Sequence, residues 1–227
     1  MRTLRHRTRQ AQGGFSLVEL MVTTVILVII FAIVMNGIVK LQRRNSAETS
    51  KTDMTQQARD FMDQSVRDLH QAGYPSWRSI AGLASTNAPT DARVAAGMVS
   101  LGNYSIQFEA DTDGSGTVND EVIQLVDSAG TVGGTTCPCT LQRGVETKTQ
   151  YLAGGAITYY TQLGNVTNTT SGTPVFVAYD STGTATTVLS NIRTVRMTVN
   201  VQSPNADLDT KVAPTLSLTS EAKISNQ

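Results

Sequence analysis

The 227-residue sequence contains few of the side chains on which most enzyme sites depend. Both of its histidines precede Gly73, so the rest of the chain has no imidazole for general base catalysis or for a histidine-containing metal site. Its two cysteines are too few for a thiolate metal centre. The sequence also has no glycine-rich nucleotide loop and no nucleophile elbow. We therefore expect that the chain is not an enzyme.

Charged and aromatic residues are also scarce, at 16% and 5% of the chain. The formal net charge is zero, so we do not expect a nucleic-acid partner. That zero conceals an asymmetry, because the first fourteen residues contain four arginines and no acid, and the remainder has 14 basic and 18 acidic residues. Serine, threonine and glycine are abundant after Gly73, which indicates a β-rich extracytoplasmic domain.

One long apolar run, residues 15–39, stands out against this background. Its 25 residues would span about 37 Å as a helix, enough for a hydrocarbon core of about 30 Å. A secretory signal peptide has a shorter apolar region, about 7–15 residues, followed by a small-residue cleavage site that is missing here. The arginines before the run should hold the N-terminus in the cytoplasm. The run therefore predicts a single membrane-spanning anchor.

Glu19 interrupts this apolar run near its start. A charged side chain inside a bilayer costs about 2.5–3.5 kcal/mol on insertion scales and usually marks function. The alternative is a carboxylate that lies near the membrane interface, where it reaches water or is protonated. The residues before Glu19 decide how it is interpreted.

The string GGFSLVEL, which contains Gly14, Phe15 and Glu19, resembles the class III signal of type IV prepilins and type II secretion pseudopilins. The resemblance implies that prepilin peptidase removes residues 1–14 by cutting between Gly14 and Phe15, and that Phe15 becomes an N-methylphenylalanine. Glycine suits the cleavage site because it leaves no side chain to obstruct the protease cleft. Glu19 would then act in subunit assembly by pairing with the Phe15 amine of a neighbouring subunit, since a buried unpaired charge is costly.

The same resemblance implies a location and a set of partners. The precursor would cross the bacterial inner membrane once, with its N-terminus in the cytoplasm and its β domain in the periplasm, before moving into an extracellular pilus. Its partners would be prepilin peptidase, other pilins and minor pilins.

Beyond the apolar run, the sequence keeps a helical rhythm up to a stop signal at Gly73 and Pro75. Apolar side chains recur at spacings of three and four, which predicts an amphipathic stripe that packs on the rest of the protein. The stripe consists of Met54, Ala58, Phe61, Met62, Val66 and Leu69. We therefore expect one long helix over residues 15–72, with residues 15–39 forming the transmembrane segment and filament core.

The segment RDFMDQSVRDLHQAGYP, residues 59–75, is similar to the end of the long helix in PilW-type minor pilins. This resemblance implies a pilin-like α+β fold, in which a long N-terminal helix packs on an antiparallel β-sheet. It also implies a minor pilin that helps to initiate, assemble or cap a type IV pilus. The alternatives are a minor pseudopilin of a type II secretion system and an adhesive module displayed on the filament, whose action could depend on calcium.

Residues 73–227 should form a β-rich globular domain, since strand-like stretches there alternate with turn-forming clusters. In the clearest stretch, Val195, Met197, Val199 and Val201 alternate with polar residues, which indicates a half-buried strand. Residues 80–97 and 162–174 are predicted to be loops. The predicted strands cover residues 104–110, 121–127, 156–161, 174–179, 191–201 and 216–224.

The sequence DTDGSGTVNDE, residues 111–121, allows two interpretations. Its alternating oxygen side chains resemble the start of an EF-hand calcium loop, although the twelfth position is Val122 instead of glutamate. The alternative, which we favour from sequence, is a polar hairpin turn. The candidate calcium ligands are Asp111, Asp113, Ser115, Thr117, Asn119 and Glu121.

Cys137 and Cys139 flank a single proline. In an oxidising compartment they could form an internal disulfide, which we favour. Free thiols, or a bond to a thiol of another subunit, are the alternatives.

Overall fold

A computed structural model describes residue 14, residues 16–207 and residues 211–225. Helix α1 spans Leu17–Gln71, close to the expected 15–72. The chain divides into two compact units, Met1–Ser46 and Ala47–Gln227, so α1 contributes to both. We describe each unit by itself.

In the first unit, the described side chains of α1 are almost all exposed. The two threonines in the apolar run place their hydroxyls against the helix backbone: Thr23 donates to the Leu20 carbonyl at 2.9 Å and Thr24 to the Met21 carbonyl at 2.8 Å. A hydroxyl bonded in this way needs no external partner in an apolar environment. The surface of this part of the helix is therefore compatible with lipid.

The second unit begins within α1, which packs one face on a β-sheet. The predicted stripe is confirmed, since Val66 is partly buried against the core and the other members are buried. The helix ends at Gln71. Gly73 then adopts a φ of 83°, which suits a residue without a side chain, and its N–H donates to the Glu109 carbonyl at 2.9 Å.

The β-sheet of the second unit consists of antiparallel strands, and two short helices, α2 at Lys148–Leu152 and α3 at Asn168–Ser171, connect some of them. The strands are β1 Met98–Leu101, β2 Ser105–Ala110, β3 Asn119–Val126, β4 Cys139–Thr147, β5 Tyr159–Val166, β6 Phe176–Tyr179, β7 Thr194–Gln202 and β8 Thr215–Lys223. Their order in the sheet is β1-β2-β3-β4-β5-β7-β6, and β8 pairs with β7. The predicted pilin-like α+β class is confirmed.

Two strands were not expected from the sequence, and one predicted loop is partly wrong. β1 is only four residues long, and β4 carries charged side chains that obscure its alternation. The predicted loop over 162–174 is wrong up to Val166, because β5 continues through Gly164 to that residue. Residues 80–97 contain no strand, as expected.

The hydrophobic core lies between α1 and the sheet. Phe61 and Leu69 from the helix belong to the same cluster as Phe108, Ile123 and Leu141 from the central strands. The alternation predicted for β7 is confirmed, since its four apolar side chains are buried. No described residue before Met54 belongs to this core.

Candidate functional sites

The segment around the predicted cleavage site lies at the start of α1. Gly14 is exposed and has no regular secondary structure, whereas Phe15 lies outside the described residues. The helix begins with the Leu20 N–H donating to the Ser16 carbonyl at 3.1 Å. Glu19 occupies the first turn, is exposed, and has no ion pair or side-chain hydrogen bond within the described part of the chain.

The apolar side chains that follow Glu19 project outward, and no described residue of their own unit covers them. Leu17 is 77% exposed, and Leu27 and Ile33 are each 67% exposed. The helix is long and apolar enough to cross a membrane. A continuous apolar surface of this size is not stable in water, so lipid or other protein must cover it.

Residues 9–35 match the family model for the prokaryotic N-terminal methylation motif. The chain has a type IV prepilin-like N-terminus. No curated protein and no solved structure matches the chain significantly. The motif and the apolar helix together support a pilin-like structural subunit that is made as a precursor for prepilin peptidase, anchored in the membrane and assembled with other pilins.

The second unit contains a buried charge network between α1 and the sheet. Arg143 on β4 pairs with Asp68 on α1 at 2.6 Å and with Glu121 on β3. The Thr112 hydroxyl donates to the other oxygen of Glu121 at 2.6 Å. Burial raises the pKa of Glu121, although the charge of Arg143 opposes this effect. This network fixes the helix to the sheet at a defined register.

A second buried ion pair joins Lys148 at the start of α2 to Glu109 on β2. The Lys148 ammonium is fully buried and donates to Glu109 Oε2 at 2.7 Å and to the carbonyls of Ala88 and Val94 at 2.5 and 2.9 Å. All three of its donors are therefore used. Burial raises the pKa of Glu109, and the hydrogen bond from Lys148 opposes that rise. The pair anchors the loop between α1 and β1 to the sheet.

Asp120 lies beside Glu109 on the neighbouring strand β3 and is completely buried. Its Oδ1 accepts a hydrogen bond from Gln107 Nε2 at 2.8 Å, but its Oδ2 has no partner. Burial raises the pKa of Asp120 from 3.8 to about 6, and the nearby charge of Glu109 adds to the rise. Asp120 is therefore a buried carboxyl group whose ionised form is destabilised by its surroundings.

The polar segment between β2 and β3 folds as a compact loop. Asp111 Oδ2 accepts from the Gly116 N–H at 2.9 Å, and Asp113 Oδ1 accepts from the Ser115 N–H at 3.0 Å. The Ser115 hydroxyl oxygen accepts from the Thr117 N–H at 3.2 Å. Hydrogen bonds from Ser115 lower the pKa of Asp113, so this side chain is a carboxylate at neutral pH.

The structure joins Cys137 and Cys139 in a disulfide at the start of β4. The hydroxyl of Thr169 on α3 lies 3.4 Å from each sulfur. The bridge closes the end of the loop that enters β4 and faces α3, which suits a structural role.

The structure brings only some of the predicted site residues together. Asp111, Asp113 and Ser115 converge in one loop, whereas Glu121 is directed to Arg143 and Thr112. The buried charge pairs were not predicted, because nothing local in the sequence marks their partners. One sequence signal was available: in the predicted strand 121–127, Glu121 shares a face with Ile123 and Leu125, and all three side chains are buried.

Proposed function

We propose that the chain is a minor pilin that prepilin peptidase cleaves between Gly14 and Phe15, and that it helps to initiate, assemble or cap a type IV pilus. The observation that carries the proposal is the methylation motif over residues 9–35, followed by an exposed apolar helix. Cleavage there leaves 213 of the 227 residues, with Phe15 as the methylated N-terminus. The similarity of residues 59–75 to PilW-type proteins supports the minor-pilin assignment.

Glu19 supplies the specific contact in this proposal. It is the one charged residue between positions 16 and 39, and within the described part of the chain it has no partner. In a filament core, the N-terminal amine of a neighbouring Phe15 provides the opposite charge. Removing one partner of a buried ion pair costs about 3–5 kcal/mol, because the other charge remains unpaired.

Glu19→Ala tests this contact. We expect normal cleavage and membrane insertion, but more than tenfold less protein in purified filaments, since about 1.4 kcal/mol already corresponds to a factor of ten. Glu48→Ala is the matched control, because Glu48 is an exposed glutamate on the same helix outside the apolar run. Wild-type incorporation of Glu19→Ala would remove Glu19 from the assembly mechanism.

Mass spectrometry of the mature protein tests the processing step. The filament-associated chain should begin at Phe15 and carry one added methyl group, and retention of residues 1–14 would refute the proposal.

A deletion strain then separates the two filament systems. Loss of surface pili with normal protein secretion supports the pilus assignment, whereas lost secretion with normal pili identifies a pseudopilin.

A further inference from the structure

In the loop between β2 and β3, the side chains of Ser115 and Asp111 both interact with the carboxyl group of Asp113. Asp111, Asp113 and Ser115 each accept a hydrogen bond from a backbone N–H of the same loop. Gly116 adopts a φ of 80°, which lets the chain fold back over the Asp111 carboxylate. These bonds alone describe a polar turn.

One oxygen in this loop is left without the partner that a polar turn should give it. Asp111 is only 7% exposed, and its Oδ1 is buried with no hydrogen-bond donor. The Asp111 carboxyl is also close enough to that of Asp113 for a direct interaction. A buried acceptor without a donor, next to a second negative charge, is unfavourable unless a cation completes the arrangement.

Two other aspartate turns in the domain show what turn formation requires. Asp127 Oδ1 accepts from the N–H groups of Ala129 and Thr131, and Asp180 Oδ1 accepts from those of Thr182 and Thr184. Neither aspartate has a buried oxygen without a partner. Turn geometry therefore does not by itself account for the arrangement at Asp111.

We propose that the loop of residues 111–117 binds a calcium ion through Asp111 Oδ1, the Asp113 carboxylate and the Ser115 hydroxyl. Calcium takes six to eight oxygen ligands in flexible geometry, so loop carbonyls and water complete its coordination. Glu121 is not a ligand in this proposal, because Arg143 and Thr112 hold both of its oxygens. With few side-chain ligands, the dissociation constant should lie at about 10⁻⁴–10⁻³ M, in the range of extracellular modules.

Calorimetric titration of the full chain in detergent micelles with calcium chloride tests the site. The wild-type protein should show saturable binding, and Asp113→Asn should weaken it at least tenfold. This variant retains an oxygen that can accept from the Ser115 N–H, so the loop should keep its fold. Asp180→Asn is the matched control, since it changes an aspartate of the same type in an ordinary turn, and calcium affinity should not change.

Thermal unfolding provides an independent measurement. Calcium should raise the midpoint of the wild-type and Asp180→Asn proteins by more than it raises that of Asp113→Asn. If circular dichroism shows that Asp113→Asn is misfolded, Ser115→Ala replaces it, with weaker calcium binding expected. If titration up to about 10 mM calcium, ten times the largest dissociation constant expected, gives no saturable heat, the proposed site is wrong. Unchanged affinity in the loop variant, or equal affinity for magnesium, overturns the assignment as a calcium loop.

Discussion

Replacing Asp120 with asparagine should abolish a loss of stability that the wild-type domain undergoes as the pH rises from about 4 to 6. Burial raises the pKa of Asp120 from 3.8 to about 6. The folded protein therefore binds this proton more tightly than the unfolded chain. The contribution of Asp120 to stability is fully present below pH 3.8 and is lost as the pH rises through the folded pKa of about 6.

The upper limit of this effect is about 3 kcal/mol, since each pKa unit corresponds to about 1.4 kcal/mol. We expect about 2 kcal/mol, because the surrounding side chains adjust when the carboxylate forms. The groups that interact with Asp120 are Gln107, Glu109, Lys148 and Tyr159. Asparagine retains the acceptor for Gln107 but places an amide N–H where Oδ2 has no partner. An unpaired buried amide N–H costs about 1–3 kcal/mol of stability, and this cost does not vary with pH.

The measurement is the free energy of unfolding in urea at several pH values between 4 and 7. A fragment that begins at Ala47 is suitable, because every described core residue lies at Met54 or beyond. The difference between wild type and Asp120→Asn should change by about 2 kcal/mol between pH 4 and 6.5, to the disadvantage of wild type, and then remain flat. Glu109 and Glu121 also have raised pKa values, but both proteins contain them, so their effect largely cancels.

Asp180→Asn is the control for this experiment. Hydrogen bonds from Thr182 and Thr184 lower the pKa of Asp180 below 3.8. Its substitution should therefore not alter how the free energy of unfolding changes between pH 4 and 6. A difference between wild type and Asp120→Asn that is independent of pH, or that favours wild type as the pH rises, would refute the reasoning.

Two further substitutions test packing and charge burial in the same fragment. Lys148→Met should destabilise it by about 3–5 kcal/mol in urea unfolding, because the Glu109 carboxylate is left buried without its cation, and adding Glu109→Gln should recover part of the loss. Gly144→Ala should cost about 1–3 kcal/mol, since the added methyl group overlaps the Ile157 side chain, whereas Gly164→Ala on the adjacent strand meets no atom within 4 Å and should cost less than that. Equal stability of the two glycine variants, or a neutral Lys148→Met, would contradict these expectations.

The features that were predictable from the sequence are those with a local signal. The apolar run, the glycine before Phe15 and the regular stripe on α1 each depend on neighbouring residues, and they predicted the anchor, the processing signal and the helix. The alternation in β7 is equally local, because the side chains of a strand point to opposite faces in turn.

The remaining features depend on contacts between distant parts of the chain. Asp68 and Arg143 meet only because the sheet register places β4 under α1, and neither residue identifies the other. The charges on β4 also obscured the strand itself. Likewise, the local sequence of the loop at Asp111 is consistent with a turn, which we favoured from sequence, and also with a cation site. The distinction depends on the burial of one oxygen, which the fold determines.

The separation of the core from the apolar run bears on how such a subunit moves from membrane to filament. Since no described core residue precedes Met54, the domain does not use the side chains of residues 17–39 for its own stability. Those side chains meet an apolar environment both in lipid and among other pilin helices, so burial alone gives little preference for the filament. We propose that Glu19, the one charged residue in the run, provides that preference, because its carboxylate is unfavourable in lipid and becomes paired in the proposed filament. Its substitution should therefore impair assembly far more than it impairs membrane insertion.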